Sequence, residues 1–185
     1  MKFIPAVVVI VLLAWAPIHS QDIYYTREGK VSFFSEAPLE NIEAHNNRAS
    51  SVFNAETCEI EFSVLIKGFM FEKSLMQEHF NENFMESHKF PRAEFKGTIQ
   101  DCGEIQLDEE GTYPFKVTGD LEIRGISRNI EAEGAFSVGD GAIIGKSGFE
   151  VKVADYDIHI PAVVRDNIAR EIEITIEANY KKLDR

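Results

Sequence analysis

Apolar and polar residues alternate with a period of two along most of this chain, and this alternation limits the possible folds more than any other feature of the sequence. It recurs in five segments, at residues 60–66, 115–123, 130–138, 143–153 and 172–180. Successive side chains of a β-strand point to opposite faces, so the pattern predicts antiparallel strands with one buried face. We count about eight strands, most of them joined by short turns such as Asp140-Gly141.

Eight strands in one chain must either stack as two sheets or close into a barrel, because an open sheet exposes its edges. Small residues recur among the inward positions, at Gly97, Gly119, Ala132, Gly134 and Gly145. They lower the volume that side chains fill in the middle, and an eight-stranded barrel is just wide enough to hold one ligand. The pattern therefore favours a mainly β fold, an eight-stranded antiparallel barrel, over the alternative of a packed sandwich.

One segment departs from the period of two. Apolar residues recur there at steps of four, the spacing of one helical face, at Met76, Phe80 and Phe84. Ser74 and Gln77 have the spacing of a capping box at a helix start, and Pro91 requires the helix to end before it. The sequence therefore predicts one amphipathic helix, at about residues 75–87, that packs on the barrel or plugs it.

The amino terminus has the features of a secretory signal peptide. Lys2 is a minimal basic region, residues 6–16 form an unbroken apolar run, and Ser20 is a small residue at a plausible cleavage point. The run is shorter than the roughly 20 residues that a helix needs to cross a bilayer. We therefore expect cleavage after residue 20, no membrane span in the mature chain, and a single periplasmic or secreted domain over residues 21–185. An uncleaved membrane anchor is the alternative.

The net charge of −12 limits the possible partners. Nucleic acids and anionic membrane surfaces are bound through basic patches, so this acidic chain is not expected to bind nucleic acid. Asp155, Asp157 and His159 would share one face of a strand and could transfer protons, but no nucleophile or glycine-rich loop accompanies them. The histidines are too scattered for a metal motif. We therefore expect neither catalysis nor a bound metal or cofactor.

The two cysteines are placed for a disulfide. Cys58 opens one predicted strand and Cys102 closes the next, and one antiparallel register sets them opposite each other, with Lys67 opposite Ala93. An export compartment permits oxidation, so we predict a Cys58–Cys102 bridge. Two free buried thiols are the alternative.

Three long segments carry a family resemblance: MQEHFNENFMESHKFPRAEFKG (residues 76–97), TYPFKVTGDLEIRG (112–125) and ADYDIHIPAVVRDNIAREIEITI (154–176). They resemble the YceI-like proteins, and the resemblance extends from about residue 30 to residue 180. It implies an extended, lipocalin-like, eight-stranded antiparallel barrel with a helix. It also implies an exported, non-enzymatic carrier or storage protein that binds a long apolar lipid, a polyisoprenoid, inside the barrel.

The sequence departs from the family pattern at one place. Residues 121–128 read LEIRGISR, and Arg124 stands where family members often have a histidine. Any special role of that histidine is therefore missing from this chain. We expect these residues to form a hairpin turn whose flanking charges face water.

A long hydrocarbon needs only a dry, shaped tunnel, so its site consists of apolar side chains. The residues that we expect to line it are Phe33, Phe62, Val64, Met76, Phe80, Phe84, Phe95, Phe115, Leu121 and Phe136. Each of them would also serve as ordinary core.

A ligand with a pyrophosphate would need a basic rim. The residues that flank the helix and could supply it are Lys67, Lys73, Lys89 and Arg92, with solvated surface as their alternative role. The alternative for the whole protein is a fully packed barrel, structural or stress-related, that acts through a protein partner. The sequence does not fix the oligomeric state.

Overall fold

The structure of the protein is a computed structural model, and it describes residues 22–183. Within that range the chain forms nine strands, which are β1 (Ile23–Ser35), β2 (Ile42–Asn54), β3 (Glu59–Leu65), β4 (Met70–Phe71), β5 (Arg92–Ile99), β6 (Gly111–Ile123), β7 (Ile126–Gly139), β8 (Ala142–Lys152) and β9 (Glu171–Lys182). One α-helix, α1 (Ser74–His79), continues into a π-helical turn at Phe80–Phe84. The signal peptide predicted for residues 1–20 lies outside the described residues.

The strands close into a barrel. β1 pairs with β2 on one side and with β9 on the other, and the wall between them follows the order β2, β3, β5, β6, β7, β8, β9. The short strand β4 pairs with β2 beyond the end of β3, so β3 and β4 form one interrupted strand. All pairings are antiparallel, and the predicted eight-stranded antiparallel barrel is confirmed. Closure covers the edges that an open sheet would expose.

The connections divide the barrel into two ends. One end, here called the loop end, carries residues 36–41, 66–91, 124–125 and 153–170. The other, here called the disulfide end, carries residues 55–58, 100–110 and 140–141. The helical segment, residues 74–84, therefore belongs to the loop end.

Two tight hairpins fix the register of β6, β7 and β8. Arg124 and Gly125 have φ of 53° and 74°, and Asp140 and Gly141 have φ of 51° and 73°. Positive φ at both central residues is typical of the type I′ turn, whose twist matches that of the flanking strands. The hairpin predicted at Asp140-Gly141 is confirmed.

The helix differs from its prediction at both ends. Ser74 is the first helical residue and makes no capping bond, and Gln77 instead accepts a hydrogen bond from the backbone of Phe71 at 3.4 Å. The predicted capping box is therefore wrong, and the helix is shorter than residues 75–87. The last turn is π-helical because Met85 N–H bonds Phe80 carbonyl, at 2.8 Å, five residues back. Met85 is buried and lines the cavity.

Cys58 and Cys102 form the predicted disulfide, with their Cα atoms 5.7 Å apart. The register that led to this prediction is wrong, because Ala93 lies opposite Val64 and not opposite Lys67. Strand β5 ends at Ile99, and the chain then turns through Asp101, whose φ is 51°. That left-handed residue brings Cys102 back toward Cys58, so the bridge closes across a turn and not across a strand pair.

Candidate functional site

The barrel encloses an apolar cavity of about 570 Å³. Every strand, the helical segment and the connection at residues 153–170 contribute side chains to its wall. Pockets for small molecules and cofactors span roughly 300–1,000 Å³, so the cavity has the size of a ligand site.

All ten residues expected to line a ligand tunnel line this cavity: Phe33, Phe62, Val64, Met76, Phe80, Phe84, Phe95, Phe115, Leu121 and Phe136. The strand residues reach it because alternate positions of each strand point inward, as the period of two requires. The helical residues reach it because the helical segment lies across the loop end. Contact of these side chains with a ligand stays a prediction.

Sequence reasoning missed a second group of lining residues. Several follow the same alternation on β8 and β9 and could have been found from it: Phe149, Val151, Ile172, Ile174 and Ile176. Others come from the irregular connection before β9, where no periodic signal exists: Tyr156, Ile158, Ile160, Val164 and Ile168. The first group could therefore be predicted, and the second depends on how the connection folds back over the loop end.

The disulfide end of the cavity is closed by stacked aromatic rings. The ring of Phe136 lies 5.4 Å from that of Phe53, 4.9 Å from that of Phe115 and 5.6 Å from that of Tyr180. Phe53 and Phe136 are completely buried. Offset and edge-to-face ring pairs at these separations contribute stability in addition to that gained from the apolar area they bury. The rings therefore form a solid floor.

One ring of this floor, Tyr180, takes part in a buried polar pair with Ser51. Ser51 Oγ donates to the carbonyl of Glu61 at 2.8 Å, so the hydroxyl of Tyr180, also 2.8 Å away, donates to Ser51. Burial raises the pKa of Tyr180 to about 12, so its hydroxyl is uncharged at neutral pH. Both hydroxyl protons are donated in hydrogen bonds, and this pair of side chains carries no charge.

The small inward residues were expected to leave free volume in the middle of the barrel. At Gly97 and Gly134 they instead make room for aromatic rings. A Cβ atom added at Gly97 would lie 2.5 Å from the ring of Phe95, and one added at Gly134 would lie 2.5 Å from the ring of Phe115. Such approaches are shorter than any normal contact, so only glycine lets these rings lie flat against the wall. The space beside these two glycines is filled by aromatic side chains.

An aromatic cluster lies under the helical segment at the loop end. The ring of Phe80 lies 5.4 Å from that of Phe33, 5.7 Å from that of Phe69 and 5.0 Å from that of Phe71. Phe33 belongs to β1 and Phe71 to β4, so Phe80 ties the helical segment to two strands. Met76 and Phe84 face the cavity beside it. The helical segment thus roofs part of the cavity. Lys73 and Leu75, at its first turn, line the cavity and are also exposed, so the cavity has its mouth beside this turn.

The mouth carries one ion pair. Lys73, just before α1, bonds to Glu40, and this hydrogen bond raises the pKa of Lys73. Of the four basic residues expected at a rim, only Lys73 lines the cavity. Lys89 pairs with Glu86 outside it. The structure therefore does not assemble the basic rim.

Arg124 does not face water, contrary to expectation. Its side chain is only 19% exposed and bonds to the carboxylate of Glu86 and to the backbone carbonyl of Asp157. The guanidinium also lies 5.9 Å from the centre of the Phe90 ring, a favourable cation–π distance. Hydrogen bonds from Lys89 and Arg124 lower the pKa of Glu86. Arg124 thereby joins three connections of the loop end.

The barrel wall splits between β7 and β8 near the loop end. The ladder between these strands runs only from Glu133, opposite Gly148, to the hairpin, whereas β7 continues through residues 126–132. The turn Val153–Tyr156 contacts both strands, and the ring of Tyr156 is buried among the side chains that fill the split. Burial, and then the charge of Asp155, raises the pKa of Tyr156. An uncharged aromatic ring therefore closes this part of the wall.

The acidic residues and histidine considered for proton transfer do not come together. The turn Val153–Tyr156 and the left-handed residue Asp157 replace the strand on which they would have shared a face. Tyr156, Ile158 and Ile160 line the cavity, whereas Asp155 and His159 do not.

No group of three or more His, Cys, Asp or Glu side chains within residues 22–183 is placed to hold a metal ion. In the same range, no helix combines the length and the apolar character that crossing a bilayer requires.

A closed antiparallel β-barrel with a ligand-sized apolar interior defines the class of this protein. The model of the YceI-like domain matches residues 25–180, and the chain therefore belongs to the YceI-like family. The resemblance read from the sequence is confirmed.

Three solved structures show the same fold. A polyisoprenoid-binding domain from Saccharophagus degradans has a TM-score of 0.75 at 11% identity, covering 89% of this chain and 100% of that one. BcnA from Burkholderia cenocepacia has a TM-score of 0.68 at 15% identity, covering 83% and 96%. The Campylobacter jejuni YCEI protein has a TM-score of 0.58 at 16% identity, covering 81% and 90%. No curated protein matches the chain.

Proposed function

We propose that this protein is an exported, non-enzymatic carrier or storage protein that binds a long apolar lipid, a polyisoprenoid, in the barrel cavity. The observation that carries the proposal is the cavity of about 570 Å³ inside the barrel, lined mainly by apolar side chains. The neighbour from Saccharophagus degradans, described as a polyisoprenoid-binding domain, has the same fold and supports the choice of ligand. The alternative of a fully packed structural barrel would require a filled interior.

Burial of hydrocarbon is sufficient to explain the affinity. Each buried methylene contributes about 0.8 kcal/mol, and a micromolar dissociation constant corresponds to about 8 kcal/mol. Even after ordering costs of several kcal/mol are subtracted, burial of a few isoprene units would give a micromolar dissociation constant. No charged anchor is needed.

The charges around the cavity favour a ligand with an uncharged head. Two lysines line the cavity, and each is already paired, Lys73 with Glu40 and Lys146 with Glu177 at 3.0 Å. A pyrophosphate would have to break one of these pairs in an already acidic protein. We therefore propose a prenol, a prenylated ring or a plain polyene as the ligand class.

The proposed export rests on residues 1–20 and agrees with the Cys58–Cys102 disulfide, since such bridges persist in oxidising compartments. The mass of the protein recovered from the culture medium or periplasm tests it. A chain that starts at Gln21 supports export, and an uncleaved cytoplasmic chain contradicts it.

Organic extraction of the purified protein, followed by mass spectrometry, tests the binding function. We expect stoichiometric isoprenoid, and delipidated protein should bind a twenty-carbon prenol more tightly than its diphosphate. Tighter binding of the diphosphate would contradict the uncharged head. Protein that carries no lipid and takes up neither compound would favour the packed-barrel alternative.

A further inference from the structure

Three segments of the loop end are held side by side around the cavity mouth. The backbone N–H of Leu39 donates to the carbonyl of Asp166 at 3.1 Å, and the next residue, Glu40, pairs with Lys73 at the start of α1. The connection at residues 36–41 is therefore fastened to the helical segment and to the connection at residues 153–170. The mouth is bordered by all three.

Each of these segments exposes a large apolar side chain beside the mouth. Leu39 is 72% exposed, Leu75 is 60% exposed and Val163 is 90% exposed. With Met70 at 65%, these are the most exposed large hydrophobic residues within residues 22–183. We call Leu39, Leu75 and Val163 the apolar lip.

The apolar lip is continuous with the cavity wall. Leu75 itself lines the cavity, and so does Val164, the neighbour of Val163. Single exposed hydrophobic residues are common on protein surfaces, but a group gathered at one site marks an interaction surface. An apolar path therefore leads from the outer surface into the barrel.

We propose that the apolar lip docks the loop end on the surface of an uncharged lipid bilayer. This inference rests on the proposed function, because docking lets an apolar ligand pass between bilayer and cavity without crossing water. The lip side chains enter the boundary between head groups and acyl chains, as the apolar faces of peripheral proteins do.

The charges near the apolar lip select an uncharged surface. Anionic lipids attract clusters of lysine and arginine, but Lys73 is neutralised by Glu40. Arg165 lies near Val163, but Asp166 follows it directly, and the three bordering connections, residues 36–41, 66–91 and 153–170, together hold nine acidic and five basic residues. The chain as a whole has a charge of −12. Anionic head groups would therefore repel this end of the barrel, whereas zwitterionic head groups would not.

Flotation with phosphatidylcholine vesicles tests the proposal. The test variant is L39N/V163N, which changes two lip residues that do not themselves line the cavity. The matched control is V52N/L183N, whose side chains are 46% and 42% exposed outside the loop-end connections. We expect the test variant to lose about tenfold or more of the vesicle partition coefficient, and the control to bind as the wild type does. Circular dichroism and prenol binding from aqueous solution should be unchanged in both.

The outcomes separate this proposal from the proposed function. Wild-type protein that binds a prenol in solution but does not float with phosphatidylcholine vesicles overturns the docking alone. Flotation that requires phosphatidylglycerol and disappears in salt also overturns it, as does equal flotation of L39N/V163N. If the wild type instead forms a dimer that L39N/V163N abolishes, the apolar lip is an interface between two copies. Protein that binds neither prenol nor vesicles contradicts both proposals.

A fluorescence measurement gives an independent result. The one tryptophan of the chain, Trp15, lies in the segment proposed to be removed on export, so an introduced tryptophan reports its own surroundings. V163W should show a blue shift of emission on addition of phosphatidylcholine vesicles, and V52W should show none. An unshifted V163W spectrum overturns the docking even if the protein floats.

Discussion

Arg124 in the β6–β7 turn and Glu86 after the helical segment form a partly buried ion pair that fastens the cavity roof to the barrel wall. The residues lie 38 positions apart in the chain. Arg124 also bonds the backbone of Asp157, so one side chain joins three connections. A charge-assisted network of this kind is stronger than an exposed pair, because its members are shielded from water and held by several bonds.

Replacing Arg124 by methionine should loosen the roof. The variant loses both bonds and leaves Glu86 with only the exposed partner Lys89. We expect a fall in Tm of roughly 3–6 °C and faster amide exchange in residues 74–90. Lys89→Met serves as the control, since it removes a solvent-exposed partner and should change Tm by less than half as much. Equal exchange rates in wild type and Arg124→Met would show that the pair does not hold the roof.

The same pair should weaken in acid. Glu86 has a lowered pKa in the folded protein, so its stabilising contribution is complete above the unfolded value of about 4.3. The contribution is lost as the pH falls through the lower folded value. The Tm difference between wild type and Arg124→Met should therefore be constant from about pH 6 to 8 and should shrink below about pH 4. A difference that persists unchanged at pH 2 would contradict the role assigned to Glu86.

Removing the ring of Tyr156 should open the split between β7 and β8. The side chain is buried where the ladder has ended, so Tyr156→Ala should cost about 3–5 kcal/mol, as aromatic truncations in a core do. Amides of residues 126–132 should exchange faster, while those of residues 133–139, which keep their ladder, should not. Tyr156→Phe keeps the ring and should behave as wild type. Uniform faster exchange along all of β7 would indicate global destabilisation instead.

Filling the cavity from β9 should block ligand binding. Ile174 lines the cavity, whereas its neighbour Thr175 is exposed on the other face of the strand. Ile174→Phe should raise the dissociation constant for a twenty-carbon prenol about tenfold or more, because the added ring occupies space that the ligand needs. Thr175→Phe adds the same ring outside the barrel and should leave the constant unchanged. Equal effects of the two substitutions would place the ligand somewhere other than this cavity.

The sequence was informative where one physical rule acts alone. Alternation along a strand determines which side chains point inward, and this is why the seven expected lining residues on strands reach the cavity. The other three follow from the helical spacing of Met76, Phe80 and Phe84. Prediction from the sequence failed where contacts between distant parts of the chain determine the local structure. Gln77 bonds Phe71 instead of capping the helix, and the left-handed Asp101 moves Cys102 out of the strand register. No local pattern places Arg124 beside Glu86, because the pair depends on how two distant connections meet.

Breaking the Tyr180–Ser51 pair should alter stability in alkali. Tyr180 has a pKa of about 12 when folded and about 10 when unfolded, so the folded state holds its proton more tightly. Its contribution is complete below pH 10 and is lost as the pH rises toward 12, a loss of roughly 2–3 kcal/mol over that interval. Tyr180→Phe should cost about 1 kcal/mol at pH 7 for the missing hydrogen bond and should resist the decline above pH 10 better than the wild type. Urea unfolding at pH 7, 10 and 11.5 measures both effects, and parallel curves for the two proteins would contradict the buried, neutral state of Tyr180.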